Sequence, residues 1–180
     1  MTELVLLLVG LVLLIGVGRF LFGDDIPKKA KTWSKRDLAS YGRAKSLVSP
    51  AELALDRVLR KHLTPIGVRI HAKTRLRDIF TVGARGFPLS KNARFGLHQR
   101  IAPRHTDFTL TDRDGVILAL VELDDRSHNT SAARKADRFK NELAAATGLP
   151  LYRIRTGSIY NEHVAGIARD LSGYLDTPYR

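Results

Sequence analysis

The chain of 180 residues has no cysteine, one methionine and one tryptophan, and its 18 acids are outnumbered by 30 lysines and arginines. Without cysteine there is no disulfide scaffold and no thiolate-held zinc or iron–sulfur centre, which agrees with a reducing compartment. The shortage of acids leaves a formal charge of +12 at pH 7. It is not confined to one end, because residues 47–180 alone carry 22 lysines and arginines against 14 acids. Such a field suits a nucleic acid backbone or an anionic membrane surface, and charge alone does not choose between them. Internal repeats and low-complexity tracts are also lacking, and the length suffices for one compact domain with a real core.

One long apolar run is present. Leu4 to Phe22 is interrupted only by Gly10, Gly16, Gly18 and Arg19, and a helix of that length at ~1.5 Å per residue spans about the ~30 Å of a bilayer's hydrocarbon. A cleaved signal peptide is the competing reading, but no basic stretch precedes the run and no clear small-x-small site follows it. No Lys or Arg precedes the run, whereas Lys28, Lys29, Lys31, Lys35 and Arg36 follow it. Basic residues stay on the cytoplasmic side. The expectation is therefore a single-pass anchor in the inner membrane, amino terminus out, with the membrane as a partner through residues 4–22. The chain then divides into an anchor at 1–23, a basic polar tether at 24–46, a folded domain at 47–175 and a tail at 176–180.

Within the domain, Ser49-Pro50-Ala51-Glu52 has the form of a capping box with proline in the first turn, and Leu53, Leu55, Val58, Leu59 and Leu63 form a one-sided apolar stripe. Val68, Ile70 and Ala72 alternate as a strand. Leu76–Val82 fits a strand or a short helix, and residues 83–103 read as a long connection with a turn near Phe95–Gln99. His105–Thr111 and Val116–Leu123 are strands of a hairpin turning at Asp112-Arg113-Asp114-Gly115. A helix over Ala132–Thr147, a strand beginning at Leu151 and a helix over Glu162–Leu175 complete an α/β domain with a small mixed sheet flanked by helices.

The chemistry concentrates at the hairpin. Asp107 begins one strand, and Glu122 and Asp124 end the other on a shared face, since side chains two apart in a strand point the same way. Carboxylates brought together in a partly buried cleft call for a cation, and oxygen ligands in a cysteine-free chain favour Mg²⁺ or Mn²⁺. Solvent-facing strand-end acids are the competing reading. His128 could serve as a base, a metal ligand or a phosphate contact, or could fix the turn before the next helix.

"HTDF" with Asp107, "VELDDRSH" with Glu122, the following "ARKADRFKNELAAATGLP" and the strand "LYRI" resemble the PD-(D/E)xK nuclease-like superfamily. The closest branch holds the very-short-patch-repair endonucleases and a bacterial domain family of unknown function. The resemblance covers about residues 47–175 and implies a restriction-endonuclease-like fold, preceded here by the transmembrane helix. It implies a metal held by Asp107 and Glu122, with Glu52 matching the helix acid, although Glu52 also reads as a helix cap. Where the motif has lysine, this chain has Asp124, so Asp124 is expected to complete the metal set and His128 to take over the lysine's work. Lys135 and Lys140 on the next helix are the other candidates. Arg94, Arg100, Arg104, Arg126, Arg134 and Arg138 flank the hairpin and could hold phosphates. The resulting expectation is a membrane-anchored, metal-dependent endonuclease acting on DNA. The alternatives are a non-catalytic nucleic-acid-binding domain and a membrane-associated interaction module.

Overall fold

The structure is a computed structural model, and it describes residues 33–83, 86, 88–124 and 131–175, without the side chains of 132 and 133. The chain divides into two units, Met1–Ala44 and Lys45–Arg180. In the first, a short helix α1 (Lys35–Ala39) is closed by a reciprocal cap between Ser34 and Asp37 and buries none of its residues.

The second unit begins with α2 (Pro50–Leu63). Ser49 Oγ accepts from the Glu52 N–H at 3.3 Å while Glu52 Oε2 accepts from the Ser49 N–H at 2.7 Å, so two of the helix's orphan donors are satisfied. Leu55, Leu59 and Leu63 are buried, but Leu53 is 40% exposed, one position off the buried face. A single turn of 3₁₀ helix (Thr64–Ile66) ends at Gly67, whose φ of 88° needs a residue without Cβ, and leads into β1 (Arg69–Ala72).

The ambiguous segment after β1 resolves as one helical turn, α3 (Leu76–Ile79). The long connection expected over 83–103 contains instead an eleven-residue helix, α4 (Lys91–Ile101), whose cap Ser90 accepts from the Ala93 N–H at 3.2 Å. It buries only Ile101 and leaves Phe95 65% exposed, so its sequence shows almost no apolar period to read.

The hairpin pairs β2 (Phe108–Thr111) with β3 (Ile117–Asp124). Its turn is made by Asp112, whose Oδ1 accepts from the N–H groups of Asp114 at 2.9 Å and Val116 at 2.8 Å. Helix α5 (Ser131–Thr147) carries the chain back to β4 (Leu151–Arg155), parallel to β3, and α6 (Tyr160–Leu175) closes the unit. Strand order is β1-β2-β3-β4, with the first two pairings antiparallel. The result is the small mixed sheet flanked by helices.

Successive residues of β3 point to opposite faces. Ala119 and Val121 join Leu55, Leu59, Phe108, Val164, Ile167 and Leu171 in one apolar cluster under α2 and α6. Leu120 joins Leu76, Phe80 and Ile101 in a second, against which Phe139 and Leu143 of α5 pack. The middle of β3 is thus buried on both faces, as a strand with a helical layer on each side must be.

The expected fold needs one correction. Among the described residues no helix is long and apolar enough to cross a membrane, so the fold is stated without a transmembrane helix. The inner-membrane, single-pass placement and the membrane partnership lose their basis with it. Residues 4–22, on which those expectations fell, lie outside the described residues.

Truncation of two of the leucines in the sequence stripe of α2 separates its faces. Leu59→Ala is expected to lose about 2–5 kcal/mol of stability through lost burial and a residual cavity, and Leu53→Ala to stay within about 0.5 kcal/mol of the parent. Urea denaturation of both variants checks this.

Candidate functional site

Three chain segments bring acids to one end of the sheet. One step beyond the Phe108↔Val121 pair, the antiparallel register sets Asp107 opposite Glu122. Asp107 Oδ2 accepts from the Leu123 N–H at 3.0 Å, which ties the first acid to the strand that bears the second. Thr106, fully buried, donates its hydroxyl to Phe108 O at 3.3 Å and Val121 O at 3.5 Å and holds the two strands together at this point. Glu52 comes from the first turn of α2, where it is both cap and site residue: Oε2 caps, and Oε1 receives the ammonium of Lys73.

Lys73 also donates to Asp107 Oδ1 at 3.0 Å. It is the one non-glycine among the described residues with positive φ, at 55°, a conformation that costs roughly 1–3 kcal/mol and persists where its surroundings over-determine it. Here the Lys73 N–H donates to Asp107 O at 2.8 Å, and the side chain returns to the same residue.

On the other side, Lys140 of α5 donates to Glu122 Oε2. Glu122 is 5% exposed, and its Oε1 is buried without a hydrogen-bond partner among the described residues. The cluster of Glu52, Asp107 and Glu122 with Lys73 and Lys140 therefore holds one more acid than base. Arg153 of β4, the register partner of Glu122, reaches Asp124 Oδ1 at 2.5 Å, Asn141 Oδ1 at 3.0 Å and Asp137 Oδ1 at 3.4 Å. Asp137, Lys140 and Asn141 lie three and four apart on one face of α5. One guanidinium thus fixes the helix face that carries Lys140.

The two central carboxyls are driven in opposite directions. Desolvation pulls the Asp107 pKa up, but the Leu123 N–H and the Lys73 ammonium outweigh it, and the group ends below its ordinary 3.8. At Glu122 burial dominates; Lys140 opposes it, the charge of Asp107 adds to it, and the group ends above its ordinary 4.5. Lys73 loses by desolvation and gains more from Glu52 and Asp107, so its pKa is raised and it stays charged.

The sequence expectations fare unevenly against this geometry. Glu52, Asp107 and Glu122 come together, while Asp124 is turned to Arg153. His128 lies outside the described residues. Lys140 reaches the site, and Lys73 was not singled out; its only trace in the sequence is a lysine immediately after an alternating strand. Among the described residues no group of three or more histidines or acids is placed to hold a metal ion. The expected metal-dependent endonuclease with its set of Asp107, Glu122 and Asp124 is corrected on that ground, since Asp124 belongs to another ion pair.

The nucleic-acid partner, catalytic or merely bound, is corrected with it. Of the basic groups near the site, Arg153 is engaged with acids and the Arg104 guanidinium lies 5.1 Å from the centroid of the Phe139 ring, whereas Arg94, Arg100, Arg134 and Arg138 are exposed. Nothing found points to DNA, and the membrane-associated module has no membrane helix among the described residues to rest on.

The family model described as "Protein of unknown function (DUF2726)" matches residues 44–171. The chain belongs to that family. Neither a curated protein nor a solved structure matches it. The DUF2726 span contains Glu52, Lys73, Asp107, Glu122, Lys140 and Arg153, so the whole charged cluster lies inside the family domain.

Opposite pKa shifts give opposite pH dependences. The stability contributed by Asp107 is complete above 3.8 and is lost as pH falls through its lower folded value; that of Glu122 is complete below 4.5 and is lost as pH rises through its higher folded value. Asp107→Asn should therefore cost about 2 kcal/mol near neutrality, and less as the pH drops below 4. The deficit of Glu122→Gln relative to the parent should instead shrink as the pH rises from 4 towards 7. Urea denaturation across that range measures both, and parallel profiles would contradict the assignment.

Proposed function

We propose that this domain carries an acid–base centre in which Asp107 is the permanently ionised carboxylate, Glu122 the carboxyl that exchanges a proton, and Lys140 the ammonium that steadies charge beside it. The observation that carries the reading is the Oε1 of Glu122, buried and without a hydrogen-bond partner among the described residues, with the charge of Asp107 acting on the same carboxyl. A buried carboxyl oxygen without a partner is costly to leave so, and it is satisfied by a proton, a water or a cation. Neighbouring carboxyls whose environments drive their pKa values apart divide into one that holds charge and one that moves a proton. Glu122 is the second kind, with Oε2 held by Lys140 and Oε1 left to take the proton.

The resemblance to the PD-(D/E)xK fold supports the same residues. Acids on two hairpin strands and an acid on the preceding helix are its elements, matched by Asp107, Glu122 and Glu52. The lysine that the strand lacks at Asp124 has a counterpart in Lys140, supplied from α5.

Mg²⁺ or Mn²⁺ fits this centre through Asp107 and Glu122. Such ions commonly take one or two carboxylates and keep several waters, so a third acid is not required, and the excess negative charge and the free Oε1 of Glu122 suit a cation. When bound, the ion would supply Lewis-acid polarisation. Asp107 is kept ionised for that purpose by the Leu123 N–H and Lys73.

Titration of the full chain with Mn²⁺, followed by the loss of the free-ion electron paramagnetic resonance signal, tests the reading. The parent should bind, and Asp107→Asn and Glu122→Gln should each weaken binding about tenfold or more, a difference of about 1.4 kcal/mol. Equal binding by the parent and both variants would remove these residues from the centre.

A further inference from the structure

We propose that Lys73 is a positioning residue: a tethered counter-ion that clamps the helix acid Glu52 to the strand acid Asp107 and must give way when a divalent cation enters. The inference rests on the reading of Asp107 and Glu122 as the centre and adds to it the state of the site before a cation arrives.

Three observations carry it. First, the ammonium of Lys73 bridges carboxylates from two elements, Asp107 Oδ1 at 3.0 Å and Glu52 Oε1, and so offsets the repulsion these two acids exert on each other when both are ionised. Second, the bridge is built into the backbone. Ala72 still pairs with Phe108 and Arg75 bridges to His105, so Lys73 stands inside a run of antiparallel pairing. Its left-handed φ of 55° breaks the strand's alternation at this one residue. The Lys73 N–H to Asp107 O bond at 2.8 Å and the Thr106 N–H to Thr74 O bond at 2.9 Å hold the break in place. A lysine without this turn would follow the pleat.

Third, the contact is sheltered. The side chains of Lys73, Glu52 and Asp107 are 23%, 12% and 14% exposed, so the pair is screened far less than a surface ion pair. Among the described residues the groups facing Asp107 are Lys73, Glu52, Glu122 and the Leu123 N–H, and Lys73 is the one cation of that set. A second cation in the same place competes with the ammonium for the same oxygens. Lys73 therefore sets both where Glu52 lies and how readily the site accepts a free ion.

The experiment uses the full chain and four forms of it: the parent, Lys73→Arg, Lys73→Met and Lys73→Gly, the last of which adopts positive φ without strain and so keeps the fold if methionine does not. Nitrogen-15 spectra of the lysine side chains read the clamp directly. The parent should show an ammonium protected from exchange with water that disappears in Lys73→Met and Lys73→Gly and loses its protection in Glu52→Gln. A Lys73 ammonium exchanging like those of exposed lysines would overturn the clamp. Mn²⁺ titration reads the competition: Lys73→Met and Lys73→Gly should bind about tenfold tighter than the parent, or more, and Lys73→Arg, which keeps the charge, should stay near the parent. Unchanged or weaker binding in the uncharged variants would overturn the displacement. If no form binds Mn²⁺ at all, the cation reading of the centre and the displacement fall together, and the ammonium spectra still decide whether Lys73 joins the two acids.

Discussion

A carboxyl at the end of a strand that is covered on both faces has little water to hold its charge, and the arrangement around Glu122 follows from that constraint. Ionised, the group is stable only against a cation, because an isolated buried charge costs several kcal/mol. Lys140 meets one oxygen. For it to do so, α5 must lie with one face against the end of the sheet, and Arg153 secures that face at Asp137 and Asn141 on either side of Lys140. Arg153 can reach because parallel pairing of β3 with β4 puts it beside Glu122. The crossover from β3 through α5 to β4 is thus the framework that lets a buried acid exist, and Asp124, placed nearer to solvent, serves that framework.

The opposite side of the centre is built differently. Asp107 is fixed by a backbone donor from the neighbouring strand and by a lysine whose own backbone is strained, and Glu52 arrives as part of a helix cap. Local devices assemble this half: a capping box, a left-handed residue and a buried threonine hydroxyl. Helix packing assembles the other half. The two meet across the end of the hairpin, where the charge of Asp107 lies close enough to help raise the pKa of Glu122.

Much of the fold was legible because its signals are local. Ser49-Pro50-Ala51-Glu52 announced the start of α2, Asp112 to Gly115 the hairpin turn, and the spacing of Phe139 and Leu143 the inward face of α5. Helix α4 was not legible, since a helix that leaves Phe95 and Leu97 in solvent and buries Ile101 alone carries no periodic stripe. In the site, period-two alternation put Glu122 and Asp124 on one face and the hairpin put Asp107 near them, but neither could tell that Asp124 would find Arg153, a partner 29 residues away that depends on the β3–β4 register. Lys73 was invisible for a related reason: its role comes from a backbone angle, and lysine is not a residue from which a left-handed conformation is inferred. Lys140 could be suspected from its place on the helix, but only the packing of α5 turned it inward.

The double use of Glu52 has a consequence for the mechanics of the domain. Its two oxygens have separate duties, Oε2 on the Ser49 N–H and Oε1 on the Lys73 ammonium. Exchange of the partner at Oε1 therefore leaves the first turn of α2 capped, and the helix need not fray for the site to change occupant. Loss of the whole carboxylate is another matter, because it unfastens helix and site together. The start of α2 is thus independent of what Oε1 holds, with a single side chain serving as hinge pin on one oxygen and as site contact on the other.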